Sequence, residues 1–284
     1  MQKYSQLKAK DVRKRAITLE LNKTLYDVRN AMLRYNISRV VIAKNDKPLG
    51  IITEKDIARF LYRAPANRRI DEIRAEEVMS RNLITVDEQN ELNICAQLML
   101  DNGISSLPVI DGKGDLKGII TKSDLVGAYA KNYAGRNKVD DYMTRHVFTV
   151  APDETTHMVL AIMANNNVSR VVVIRGKKPI GIITGRDLLP MSALFGPDTQ
   201  QIINEIFTSR KASLIIPSGI SAVFLARDIM KHDPITIAKD SDLADAAQIM
   251  VRNRISGVPV IDSNGDLTGI VTKTDVVKAI ANIQ

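Results

Sequence analysis

The chain has 284 residues, of which 45% are apolar and 25% charged, close to globular averages, so an intrinsically disordered chain is excluded. Its 40 basic and 32 acidic residues leave a net charge of +8, modest for this length, and aromatics make up only 4%, too few to favour a base-stacking platform. The single cysteine, Cys95, rules out an intrachain disulfide and fits a reducing, cytoplasmic setting.

In chain order, Lys3, Lys8 and Lys10 break any apolar run near the first residues, so no signal peptide is expected. A threonine, Thr18, then precedes a helix-spaced apolar stretch that carries Met32. Ser38 opens a β-branched run, Val40-Val41-Ile42. A polar turn leads into the phrase Gly50-Ile51-Ile52-Thr53-Glu54-Lys55-Asp56.

The whole set recurs three times. Thr85, Thr149 and Thr236 each lie 20 residues before Ser105, Ser169 and Ser256, as Thr18 lies before Ser38. Met99, Met163 and Met250 repeat Met32, and the phrase returns at Gly118 to Asp124, Gly181 to Asp187 and Gly269 to Asp275. From serine to phrase threonine the spacing is 15 residues in the odd repeats and 16 in the even ones. The odd repeats read Ser-Arg-Val-Val, whereas the even ones place Pro108 or Pro259 in that run. Such internal repetition fixes the architecture before any single element does.

Each repeat is read as strand, helix, strand, strand, helix. The stripes Leu92, Cys95, Ala96, Met99 and Leu243, Ala246, Ala247, Met250 mark the first helix, and turns such as Asp111 to Asp115 and Asp262 to Asp266 separate the paired strands. The fold class is α+β. One repeat is too small to bury much surface, so it should pack on its partner. The alternation sets the pairs at residues 1–134 (repeats 9–63 and 75–133) and 135–284 (repeats 139–195 and 226–283, with a connector over 190–225). The longest uncharged stretch, Ala212 to Ala226, has 15 residues interrupted by Pro217 and Gly219, so it is expected as a buried connector and not a membrane span.

Thr-x-x-Asp at a helix start serves two purposes. It is a capping box, in which threonine satisfies an orphan amide and the acid reaches back. It also sets a hydroxyl and a carboxylate beside a helix N-terminus, which favours an anionic group. All four acids are aspartate, although a box prefers Glu or Gln, and that favours a ligand role beside the cap.

Ile-Ser-x-x-Pro-Val-Ile-Asp, Gly-Ile-x-Thr-x-x-Asp and the upstream Met followed by Thr-Val resemble the cystathionine-β-synthase (CBS) domain. The resemblance covers residues 9–283. Four copies resemble two tandem Bateman modules packed as a disc, an organisation similar to the γ subunit of the AMP-activated protein kinase. The resemblance implies clefts between paired repeats that hold AMP, ADP or ATP, with S-adenosylmethionine as the alternative adenosyl ligand, and no required cofactor or metal. Thr53, Asp56, Thr121, Asp124, Thr184, Asp187, Thr272 and Asp275 would meet the ribose, since an acid can accept from both ribose hydroxyls. Thr18, Ser38, Thr85, Ser105, Thr149, Ser169, Thr236 and Ser256 would line the base; by the family rule Thr18 serves the cleft at Asp124 and Thr85 that at Asp56. Arg39 and Arg170 would pair phosphate oxygens through their planar fork, with Lys122 and Lys273 supplying charge in the even repeats. Basic residues also gather before each early threonine: Arg13 to Arg15, Arg81, Arg145 with His146, and Lys231 with His232.

The three histidines lack metal spacing and no nucleophile–base arrangement occurs, so catalysis is not expected. A regulator that signals to a separate protein in trans is expected. Nucleic-acid binding stands second, and an assembly factor with vacant clefts third. A homodimer through the extra segment from Pro190 to Phe207 is a further expectation.

Overall fold

The computed structural model describes residues 7–63, 68–188 and 224–283. It is an α+β fold in which every repeat has the order read from the sequence. A short strand (Thr18–Leu19, Val86–Asp87, Thr149–Val150 or Ile237–Ala238) leads to a helix (Leu25–Tyr35, Leu92–Asp101, Thr156–Asn165 or Leu243–Arg252). A hairpin follows: Arg39–Lys44 with Lys47–Thr53, Ser106–Ile110 with Leu116–Thr121, Arg170–Arg175 with Lys178–Thr184, and Gly257–Ile261 with Leu267–Thr272. A closing helix starts directly after each phrase threonine: Glu54–Arg63, Lys122–Asn132, 185–188 in the third repeat, and Lys273–Ala281. The segment Pro190 to Phe207 lies outside the described residues, as does the stretch from Ala212 up to residue 223.

In the first, third and fourth repeats the first helix forms where a side-chain cap and apolar spacing coincide, whereas in the second it starts after Glu91 without a side-chain cap. Thr24 accepts from the Asp27 amide while Asp27 reaches back to the Thr24 amide at 2.9 Å, and Asn36 ends the helix in the left-handed region at φ 50°. In the second and fourth repeats, Leu92, Cys95, Ala96, Met99 and Leu243, Ala246, Ala247, Met250 are buried as their spacing predicts. The four sheets are separate. In each, the short strand runs parallel to the first hairpin strand, as in Thr18 opposite Val41 and Thr149 opposite Val172.

The spacing difference between odd and even repeats has a local cause. The first repeat joins strands of six and seven residues through Asn45 and Asp46, both at positive φ, the signature of a tight hairpin turn. The second joins strands of five and six residues through a longer turn closed by Asp111, whose Oδ1 accepts from the amides of Lys113 and Asp115, both at 2.9 Å. Asp262 repeats this with Asn264 and Asp266.

The chain forms two compact units, one of residues 1–142, 240–257 and 272–284, the other of 143–239 and 258–271. The fourth repeat is thus divided, its helices belonging to the first unit and most of its sheet to the second. In the first unit the helices Lys122–Asn132, Leu92–Asp101, Leu243–Arg252 and Lys273–Ala281 pack together, and Leu125, Tyr129, Val276 and Ile280 on them are fully buried. A second cluster joins Val28, Met32, Val40, Ile42 and Ile52 of the first repeat to Ile73 and Val78. The other unit has its own cluster around Leu160, Met163, Val171, Val173 and Ile183.

Candidate functional site

All four phrase aspartates divide their two carboxylate oxygens in the same way. In each, Oδ2 accepts from the amide and the hydroxyl of the phrase threonine. The hydroxyl distances are 2.6 Å for Thr53–Asp56, Thr121–Asp124 and Thr184–Asp187, and 2.7 Å for Thr272–Asp275. The amide distances are 2.8 to 2.9 Å. One oxygen therefore does the capping, and Oδ1 remains directed elsewhere. The serines support the same corner: the carbonyls of Ser38, Ser105, Ser169 and Ser256 accept the first amide of the closing helix, from Glu54, Lys122, Gly185 and Lys273.

At Asp56, Asp124 and Asp187, a residue that meets Oδ1 comes from the segment just before the paired repeat's early threonine. Just before each early threonine the chain crosses to the paired repeat and lies along its phrase strand. Lys14 pairs with Ile119, Ser80 with Ile51, and Thr144 with Ile270 as isolated antiparallel bridges, and Lys231–His232 pairs with Gly181 and Ile182 as a two-residue strand. The phrase glycine permits this approach. A Cβ on Gly50 or Gly181 would collide with the thioether of Met79 or Met230; on Gly118 it would collide with the Lys14 carbonyl, and on Gly269 it would come within 2.7 Å of Met143 Sδ. The exchange is reciprocal within a pair of repeats.

The crossing segment supplies a neighbour to three of the four aspartates. The Lys14 ammonium lies 2.7 Å from Asp124 Oδ1, an ion pair whose angle falls short of a directed hydrogen bond. Lys231 lies 3.4 Å from Asp187 Oδ1. Asp56 Oδ1 instead accepts from the Ser80 hydroxyl at 3.4 Å, with Arg59 at 3.9 Å. Asp275 Oδ1 is met at 3.0 Å by Lys278 of its own helix. Asp124 and Asp275, in the even repeats, are buried, whereas Asp56 and Asp187 are half-buried.

Arg39 and Arg170 stand directly opposite Thr53 and Thr184 in the hairpin register. Arg39 reaches across to the second repeat and donates to the Ser105 carbonyl at 3.0 Å, and also to Ser38 Oγ at 3.1 Å. Burial pushes its pKa down, opposed by the charges of Asp124 and Glu54. The Asp124 corner thus collects Lys14, Arg39, Ser105 and Thr121. Arg170 donates to Ser169 Oγ at 3.5 Å. Lys122 and Lys273 point across to each other's helices, to Thr274 Oγ1 at 3.3 Å and Ser123 Oγ at 2.8 Å. Burial lowers the Lys122 pKa, with Asp275 pulling it back up. Thr18 is exposed, while Thr85, Thr149 and Thr236 are half-buried at the starts of the parallel strands. Arg145 and His146 line a cavity of about 250 Å³ with Thr149, Lys177 and Thr268, at the turn end of the third repeat's hairpin.

Sequence reasoning missed that Lys14, Ser80 and Lys231 share one structural position. Each directly follows the residue packed on the partner's phrase glycine, namely Arg13, Met79 and Met230. The methionine recurring six residues before Thr85, Thr149 and Thr236 was the available signal.

Four repeats that exchange segments in pairs, each with a capped aspartate at a helix start, are the plan of a tandem-repeat α+β protein, and the chain belongs to the CBS-domain family, whose model matches residues 9–63, 75–131, 139–192 and 226–282. Among curated proteins it is similar to the uncharacterized protein MJ1225 of Methanocaldococcus jannaschii, 29% identical over 270 residues, 89% of this chain and 92% of that one. The crystal structure of MJ1225, described as a candidate archaeal homolog of g-AMPK, superposes with a TM-score of 0.67 at 26% identity, covering 97% of this chain and all of that chain. An uncharacterized conserved protein from Pyrococcus horikoshii shares the fold, with a TM-score of 0.68 at 21% identity over 96% of this chain and all of that one. Among the described residues no helix is long and apolar enough to cross a membrane, and no three His, Cys, Asp or Glu side chains are grouped to hold a metal.

Proposed function

We propose that the chain is a regulatory protein that binds adenine nucleotides at the phrase aspartates and acts by binding alone, without catalysis. One observation carries this: in every repeat a single carboxylate oxygen completes the cap, so a ribose diol can compete with the side chains around the other oxygen without unravelling the helix. A capping box needs no second oxygen, and an aspartate dedicated to the cap would be interchangeable with Glu or Gln. The helix N-terminus behind each corner favours a phosphate. The likeness to MJ1225 over nearly the whole length of both chains supports the same reading.

Signalling then follows from differential binding. Each corner is built from two repeats, so a ligand that draws Oδ1 and the crossing segment together favours one arrangement of the pair. A separate protein reads that arrangement in trans. Titration calorimetry with AMP, ADP, ATP and S-adenosylmethionine tests the proposal, repeated with Asp56, Asp124, Asp187 and Asp275 each changed to Ala. Each productive cleft loses its heat with its own aspartate. Absence of heat with all four ligands on the unmodified chain refutes it.

A further inference from the structure

We propose that Lys14 and Lys231 are specificity-determining residues that make the Asp124 and Asp187 clefts select phosphorylated adenosine over neutral adenosine. The inference rests on the nucleotide-binding reading above. With Oδ2 held by the cap, a ribose diol has only Oδ1 to use, and at these two corners a lysine from the paired repeat already neutralises it. The two partners are unlike in mobility. The Lys14 and Lys231 side chains are 74% and 68% exposed, whereas those of Asp124 and Asp187 are 4% and 12% exposed. A long, solvated arm covers a fixed carboxylate, and it is the arm that can move.

A neutral nucleoside displaces the lysine and leaves it no new partner. A nucleotide brings a phosphate, and the displaced ammonium can pair with it while staying close to the aspartate, so the positive charge is kept in use. At Asp124 the neighbouring Arg39 adds a second cation. The Asp56 corner has a neutral hydroxyl, Ser80, at the equivalent position, and the cation near it, Arg59 at 3.9 Å, belongs to the aspartate's own helix, so discrimination by a lysine of the paired repeat is not built in there. The resulting division, with Asp124 and Asp187 against Asp56, cuts across the odd–even division written in the sequence.

The test is titration of AMP and adenosine against the full chain and its Lys14→Met, Lys231→Met and Lys14→Arg variants. Asp124→Ala and Asp187→Ala identify which binding step belongs to which cleft. Lys14→Met should weaken AMP at the Asp124 step by about tenfold while leaving adenosine unchanged or tighter, as expected for loss of one charge-assisted contact. Lys14→Arg should restore the preference, and Ser80→Lys should create it at Asp56. Equal losses for AMP and adenosine, or an unchanged ratio, overturn the lysine inference and leave nucleotide binding standing. Failure of the unmodified chain to bind either compound overturns both.

Discussion

Replacing Gly118 by Ala puts the crossing arrangement to its most direct test. Lys14 N donates to Ile119 O at 3.0 Å and Ile119 N donates to Lys14 O at 2.9 Å, which fixes the Lys14 carbonyl over Gly118. A Cβ at residue 118 would overlap that carbonyl and also touch Arg13 Cβ and Cδ at 3.4 Å. Backbone held by two hydrogen bonds cannot turn aside as a side chain can. The segment must lift, stretching both bonds, each worth about 0.5–1.5 kcal/mol, and the overpacking adds about 1–3 kcal/mol. Gly118→Ala should therefore cost about 2–6 kcal/mol, a fall in melting temperature of about 4–24 °C for a unit of this size. At Gly50 the same Cβ meets the thioether end of Met79, which can rotate away, so Gly50→Ala should cost only about 1–2 kcal/mol. Gly127 supplies the control: it lies inside the helix Lys122–Asn132 with nothing within 4 Å of its added Cβ. Gly127→Ala should stabilise by about 0.5–1 kcal/mol, as a helix-interior glycine replaced by alanine does. Thermal unfolding followed by circular dichroism reads all three. If Gly118→Ala melts with the unmodified chain, or Gly50→Ala is the more damaging, the crossing segment does not pack as described.

Three other outcomes are expected. Asp275→Ala removes both bonds of the threonine cap and should lower stability by about 1–2 kcal/mol in urea unfolding; an unchanged midpoint would show that the helix starts without the carboxylate. Met99→Ala and Met163→Ala empty sites with no solvent exposure and should each cost about 2–5 kcal/mol by the same measurement, and a loss under about 1 kcal/mol would contradict the packing. Burial holds the Cys95 thiol and the Tyr129 phenol at about 12, above their ordinary values of 9.0 and 10.0. Folding thus favours the neutral forms, and their contribution is complete below pH 9 and is lost as pH rises toward 12. Native protein should resist a thiol reagent at about pH 8 and react once unfolded, whereas equal rates would place Cys95 at the surface.

The repeat plan was legible because it is written in local periodicities. The interval from early threonine to serine spans one helix and its turn, and any insertion would rotate Met32 or its equivalents off the buried stripe, so the spacing is invariant. The 15- and 16-residue spacings were visible too, and turn chemistry explains them. The reason for the phrase glycine was not legible. Nothing within a repeat needs it, since the atoms it admits belong to Met79, Lys14, Met230 and Met143, each from the paired repeat. Contacts exchanged between repeats leave no period in the sequence. The same gap hid Lys14 and Lys231, which looked like members of scattered basic loops until strand register aligned them with Ser80.

That alignment also resolves the conflict between cap and ligand site. Thr-x-x-Asp can be both because the two demands fall on different oxygens. Threonine draws both its amide and its hydroxyl to Oδ2, while Oδ1 faces a residue that varies from repeat to repeat. The first oxygen is under the same local constraint four times over, which keeps the phrase uniform. The second answers to a lysine or a serine of the paired repeat or, at Asp275, to a lysine of its own helix. Four aspartates identical in the sequence are therefore three kinds of acceptor: Asp124 and Asp187 beside a lysine of the paired repeat, Asp56 beside a serine, and Asp275 beside a lysine of its own helix. At Asp56, Asp124 and Asp187 the difference is set four or five residues before the paired repeat's threonine, and at Asp275 by Lys278 in its own helix, not within the phrase that makes them recognisable.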